Sequence, residues 1–213
     1  MASERSQKKG KDKWKEKTWF SILSPAFMGG KEIVKSPAIS AEAMIGRKVE
    51  VPVSDITGNI KKGNTKAVFR VISCNGTECQ TTFDGHYVGD DYIRRLVRRR
   101  KDRIDVIVRD VTKDGYNFVV KSVIVVDGKL NFSKIAGIRK NTEQLIRDKI
   151  RNLSLGELAN YVIGDDITND IIAVNSHIFP LRKVEIRKTE NLGSSGGAQA
   201  SEPESVQEAE TPA

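Results

Sequence analysis

The chain has 213 residues, with 36 Lys and Arg against 28 Asp and Glu and a net charge of +8, a size that fits one large or two small soluble domains. No apolar run approaches the ~18 residues of a membrane span, and the start carries no secretory h-region. The polyanion that such a surface attracts therefore reads as nucleic acid rather than membrane.

Residues 1–18 are polar and lysine-rich, with Lys8, Lys9, Lys11, Lys13, Lys15 and Lys17 interrupted by Trp14. Such a segment cannot bury enough apolar area to offset its ordering entropy. It is expected to be a disordered basic extension that orders on RNA. Trp19 to Leu23 reads as a short strand, after which Pro25, Gly29-Gly30 and Pro37 punctuate the entry to a domain.

From Arg47 the sequence turns to β character. Lys48 to Val53 alternates, Gly58-Asn59 and Gly63-Asn64 mark turns, and Val68 to Ile72 pairs with Thr81 to Phe83 across Asn75-Gly76. Cys74 and Cys79 bracket that turn. Facing positions could form a disulfide, or half a metal site with His86 as a third ligand, but a fourth ligand is missing locally. The expectation is reduced structural thiols in an intracellular protein, with no metal and no cofactor.

Six cations fall between Tyr92 and Lys101: Arg94, Arg95, Arg98, Arg99, Arg100 and Lys101. As a helix from Asp91 to Lys101, the segment would turn Tyr92, Ile93, Leu96 and Val97 to the core and Arg94, Arg98 and Lys101 outward. A merely solvated face is the bland alternative, but it does not need so uniform a sign. Strands then follow at Arg103 to Val111 and Tyr116 to Val126, joined at Asp114-Gly115. The apolar run from Val119 to Val126 predicts a strand buried on both faces.

The last third is helical. In Lys134 to Leu153 the residues Ile138, Leu145, Ile146, Ile150 and Leu153 share one face, with Lys140, Arg147 and Arg151 on the other. Ser154 and Glu157 form a capping-box pattern before Leu155 to Ile163, and Asp165-Asp166 open a helix through Asn175. Val184 and Ile186 alternate with charges as a closing strand. Residues 191–213 hold four glutamates and no Lys, Arg or Asp, and they are expected to be a disordered acidic tail. Setting their −4 aside leaves +12 on residues 1–190. Residues 19–190 thus read as a single α+β RNA-binding domain.

Chemistry needs a constellation, and the two histidines, His86 and His177, sit in no zincin or phosphate-loop pattern. Asp84, His86 and Asp91 could serve an RNA-processing enzyme, but an Asp- and Gly-rich turn with a helix cap accounts for them more simply. Asp165, Asp166 and Asp170 complement helix dipoles more readily than they hold a divalent ion. Gly29-Gly30-Lys31 lacks the rest of a phosphate loop. The nucleic-acid inventory is fuller: arginines fork onto phosphates, and Trp14, Trp19, Phe20 and Tyr92 offer planes for stacking. Core packing competes for the last three, which leaves Trp14 the better stacking candidate. The contacts expected with RNA are Lys8, Lys9, Lys11, Lys13, Trp14, Lys15, Lys17, Arg94, Arg95, Arg98, Arg99, Arg100, Lys101, Lys140, Arg147 and Arg151, with no catalytic or metal residue.

Several stretches, taken in order, resemble the archaeal and eukaryotic small-subunit ribosomal protein family numbered 3A, or 3Ae in archaea. They are Lys17 to Phe20 with Ser24 to Phe27, Ile45-Gly46-Arg47, Thr82-Phe83-Asp84-Gly85, Asp114-Gly115-Tyr116, and Ile178 through Lys188. The resemblance covers residues 13–190 and is closest to the archaeal form. It implies a cytoplasmic structural protein of the small-subunit platform, near the 3′ end of the small-subunit RNA and the messenger exit. The implied partners are small-subunit ribosomal RNA, neighbouring platform proteins and messenger RNA, and the implied fold is a mixed, barrel-like β-sheet core with flanking helices. A free translation factor or RNA chaperone is the alternative that shares the charge.

Overall fold

The protein, seen in a computed structural model, is described at residue 14 and over residues 17–194. Lys8, Lys9, Lys11, Lys13 and Lys15 lie outside the described residues, as does the acidic tail beyond Ser194.

Among the described residues, eight strands form one mixed sheet, and a five-residue helix, α1 (Val53–Thr57), follows the third of them. They are β1 (Thr18–Leu23), β2 (Glu32–Ala38), β3 (Lys48–Pro52), β4 (Thr65–Asn75), β5 (Glu78–Val88), β6 (Lys101–Val111), β7 (Tyr116–Asp127) and β8 (Leu181–Ser194). Their order is β2-β1-β5-β8-β7-β6, with β4 along the other edge of β5 and β3 outside β4. No strand pairing links β6 back to β2 or β3, so the sheet stays open and the barrel-like expectation is corrected. Alternating apolar residues mark strands, whereas closure depends on which edges meet in space.

Strand β5 is the branch point. The whole of β4 lies along one edge. On the other edge β1 pairs in parallel at Glu78 and Cys79, and β8 pairs antiparallel at Gly85, His86 and Tyr87. Two strands can share that edge because β5 is bulged at Asp84: Val68 faces Gly85 while Phe69 faces Phe83. Asp84-Gly85 therefore lies inside a strand, not in the turn expected from its composition.

One sheet face carries the main core. Ile104, Val106 and Val108 of β6, Phe118, Val120, Ile124 and Val126 of β7 and Val184 and Ile186 of β8 pack against α3 (Phe132–Asn152), α4 (Leu155–Gly164) and α5 (Asp166–Asn175). The face of α3 turned inward is Ile138, Thr142, Ile146 and Ile150, all fully buried, while Leu145 and Leu153 are half-buried at its margin. Ser154 and Glu157 close the capping box. Asp114, from the β6–β7 turn, accepts the Leu155 N–H at 2.7 Å, so a turn residue also caps α4. A smaller cluster of Phe20, Ile22, Ala38, Met44, Val71 and Cys79 holds β1 and β2. Strand β2 passes unnoticed in the sequence because Pro37 lies within it; among the described residues it pairs only with β1, and an edge strand tolerates proline.

As β7 is expected to be, it is buried on both faces from Phe118 to Val126, Lys121 being the half-buried exception. Its second face brings in the basic segment. Strands β8 and β7 lie between β5 and β6, so the chain linking β5 to β6 must cross both. A short helix, α2 (Asp90–Leu96), starts this crossing and is pinned onto β8 by Arg187 to Asp90 at 3.1 Å and by the Tyr92 hydroxyl donating to Glu185 at 3.0 Å. Glu185 and Arg187 alternate away from Val184 and Ile186, which places α2 opposite α3 to α5. The expected helix from Asp91 to Lys101 is thus shorter. Val97 is already extended, and Lys101 begins β6 opposite Asp127. A longer helix would have stacked Arg94, Arg98 and Lys101 as like charges, whereas the strand gives Lys101 an acidic neighbour.

Candidate nucleic-acid interface

About half of the domain's cations are already paired. Lys48 and Arg70 share Asp84, each at 2.7 Å, Lys121 and Lys188 share Glu190, Lys62 pairs with Asp165, and Lys149 with Asp170. The two lysines draw the Glu190 carboxyl down to about 2 by their hydrogen bonds. Where both members stay exposed such pairs contribute little to stability, but each pair removes a cation from those available to a phosphate.

Against that background the crossover differs. Arg94, Arg98, Arg99 and Arg100 are exposed and have no acidic partner among the described residues; Arg95 donates only to the Asp91 carbonyl, at 3.3 Å. Arg100 has φ 65°, a left-handed turn that costs a non-glycine residue roughly 1–2 kcal/mol. The turn aims the chain back into β6, where Lys101 is largely covered and bonded to Asp127 at 2.8 Å. Arg182 holds the same carboxylate at 3.0 Å, so two cations already neutralise Asp127. Lys101 is accordingly a strut of this corner, and the free charge lies on the arginines before it.

The second expected surface divides. Lys140 is exposed and unpaired among the described residues, as is its neighbour Arg139. Arg151 bonds Asp110 at 2.8 Å, and Arg147 bonds Glu143 at 2.7 Å while its Nε approaches Asp110 at 3.7 Å. Helical spacing put both arginines on the outer face correctly, but Asp110 comes from β6, and no spacing rule within α3 could reveal it. Lys129 and Arg139, exposed and without an ion pair among the described residues, are cations sequence reasoning missed, and Lys31, Arg109, Lys113 and Lys134 are others. A lone lysine after Asp127-Gly128 and an arginine beside the selected face gave no signal there.

Of the aromatic planes, Phe20 is core, and Tyr92 is half-buried and bonded to Glu185. Trp14 and Trp19 are 62% and 59% exposed, with the Lys17 ammonium 4.5 Å over the Trp14 ring. Trp19, for which core packing is a rival use, alternates out of β1 instead, because Phe20 and Ile22 take the inner face.

Of the residues that could carry chemistry, Asp84 and His86 are committed elsewhere. Asp84 is the bulged acid between Lys48 and Arg70. His86 is buried: Nδ1 lies 2.7 Å from the Thr189 hydroxyl and Nε2 lies 3.1 Å from the Ile186 carbonyl, while its backbone N–H donates to Thr189 Oγ1 at 3.0 Å. A neutral ring with its proton on Nε2 satisfies all three bonds. A cavity of about 170 Å³ beside it is lined by Lys62, Asp165, Lys183 and Glu185, already paired as Lys62 with Asp165 and Lys183 with Glu185. Cys74 and Cys79, expected as thiols, face each other across the hairpin with Cα atoms 4.0 Å apart and form a disulfide. His86 lies seven residues further along β5 from Cys79, held by β8.

Burial lowers the His86 pKa to about 4, so protonation favours the unfolded chain. Stability should be level above the unfolded value near 6.5 and should fall as pH drops toward 4, by about 3 kcal/mol from this group. Urea melts across this range should show that slope, and His86→Gln should remove the part above pH 4.5. An equal slope in the variant would assign it to other groups.

The comparisons with known proteins agree with one another. The profile described as the Ribosomal S3Ae family matches residues 5–194. The chain is 53% identical over 196 residues to small ribosomal subunit protein eS1 of Thermoplasma acidophilum, covering 92% of this chain and 91% of that protein. It is 52% identical over 186 residues to the protein of that name from Picrophilus torridus, covering 87% and 89%. The figure is 37% over 182 residues for that of Desulfurococcus amylolyticus, covering 85% of each.

Proposed function

Because the chain belongs to the Ribosomal S3Ae family, we propose that it is a structural constituent of the small ribosomal subunit, bound to small-subunit RNA, with no catalytic step of its own. The observation that carries this reading is the contrast in charge pairing. About half of the domain's cations find an acidic partner within it, whereas Arg94, Arg98, Arg99 and Arg100 stand close together on one crossover with none among the described residues. Guanidinium groups held out from a packed sheet meet phosphate oxygens with little further ordering cost.

Lys140 extends the contact on the opposite sheet face, and the lysines of residues 8–17 with Trp14 follow an RNA strand away from the domain. Arg95, Lys101, Arg147 and Arg151 support these contacts through their own partners. The place within the subunit is the platform, near the 3′ end of its RNA and the messenger exit. Its other partners are neighbouring platform proteins and messenger RNA, and its compartment is the cytoplasm.

Sedimentation tests this directly. The protein should travel with small subunits at moderate salt, in a one-to-one ratio with other small-subunit proteins. Recovery only in the free pool would overturn the reading. A salt-labile, sub-stoichiometric association would instead indicate a translation factor or RNA chaperone.

A further inference from the structure

The corner that carries the free arginines also exposes an aromatic ring that the protein itself does not use. Phe132, the first residue of α3, is 91% exposed. Scattered apolar residues on a surface need no explanation, but the placing of this one is specific. The connection before it is tied to the start of β6 three times: Lys101 pairs with Asp127, the Asp102 N–H donates to the Gly128 carbonyl at 3.2 Å, and the Asp102 carboxylate accepts the Leu130 N–H at 2.7 Å. Phe132 thus follows by two residues a segment pinned beside the turn Arg98-Arg99-Arg100. Lys129, exposed and unpaired among the described residues, lies between them.

The acids of this corner are taken: Asp127 by Lys101 and Arg182, Asp102 by the Leu130 N–H. What remains outward is one aromatic plane and four cations, Arg98, Arg99, Arg100 and Lys129. We infer that Phe132 and this arginine turn form a site for an unpaired RNA nucleotide, whose base stacks on the Phe132 ring while its flanking phosphates meet Arg99, Arg100 and Lys129. A duplex cannot use the ring, because its bases are already stacked; a single strand can, whatever its sequence. An apolar surface on another protein would also cover a phenyl ring. The unpaired positive charge around Phe132 favours a polyanion instead, and the left-handed Arg100 holds that charge at the corner. The inference rests on the RNA-binding reading and adds a ligand form and a residue to it.

The test compares the full chain with Phe132→Ala, Phe132→Leu and Phe132→Trp, binding a short oligoadenylate and an RNA duplex of equal length. All four should melt alike, since the ring is in solvent. Alanine and leucine should each weaken oligoadenylate binding by roughly 5- to 150-fold, tryptophan should retain it, and duplex binding should not change. Wild-type affinity in Phe132→Ala would overturn the inference. So would full affinity in Phe132→Leu, which would identify an apolar contact without stacking. If the unaltered chain binds neither RNA, the RNA-binding reading falls first; if it binds both and Phe132→Ala does too, only the present inference falls.

Discussion

Gly85→Ala is expected to destabilise the domain by about 4 kcal/mol, a drop of roughly 8–16 °C in Tm for a domain of this size. Gly85 has φ 149°, and a Cβ built there would stand 2.1 Å from the Thr189 carbonyl oxygen and 2.9 Å from its carbon. Both are backbone atoms of the paired strand β8, so no side chain can rotate aside. The residue is held on both edges, opposite Val68 of β4 and Glu190 of β8. Relief therefore means separating β8 from β5 or undoing the bulge at Asp84. Either change loosens the His86 bonds to Thr189 and Ile186 at the same joint. Gly58→Ala is the matched comparison: Gly58 is also left-handed, at φ 71°, with nothing within 4 Å of an added Cβ. It should cost only about 1 kcal/mol. Equal losses in the two variants would show that backbone conformation, not the close crossing of β5 and β8, sets the requirement at Gly85.

Replacing Arg98, Arg99 and Arg100 together by glutamine should weaken binding to small-subunit RNA by roughly 100-fold or more at about 0.1 M salt, and should lower the slope of log affinity against log salt by about 3. The melting temperature should hold, because none of the three makes an ion pair among the described residues and all three are exposed. Arg147 and Arg151 provide the contrast. Both are bound to Asp110, so the double glutamine variant should leave the salt slope nearly unchanged. Equal losses in the two variants would mean that RNA displaces Asp110, and the present pairing would not predict the contact surface.

The two experiments probe features of very different legibility. The capping box at Ser154 and Glu157, the hairpins at Asn75-Gly76 and Asp114-Gly115, the apolar run of β7 and the outward face of α3 are all local. Side-chain period and turn chemistry act within a few residues, so they show in the sequence. Asp84-Gly85 is visible as well, but its composition reads as a turn. The same two residue types serve a turn and a bulge, and only the joint pairing of β5 with β4 and β8 separates them. The stretch Thr82-Phe83-Asp84-Gly85, one of those that carry the family resemblance, gains a physical sense from this. Phe83 fills the core, Asp84 gathers Lys48 and Arg70, and Gly85 lets β8 approach.

The arginine-rich run shows the same division. Its composition alone points to a polyanion as partner, and the periodicity beside it marks many of the neighbouring strands and helices. Composition could not tell which cations are free, because partners such as Asp110 for Arg151, Asp127 for Lys101 and Asp84 for Arg70 are supplied by other strands. Nor could it end α2 at Leu96, since the pull on Lys101 comes from β7. Sequence fixes charge and period, which are sums over neighbours along the chain. The open edge of the sheet, the crossing at Gly85 and the choice of unpaired arginines depend on contacts between distant segments, and only the tertiary structure decides those.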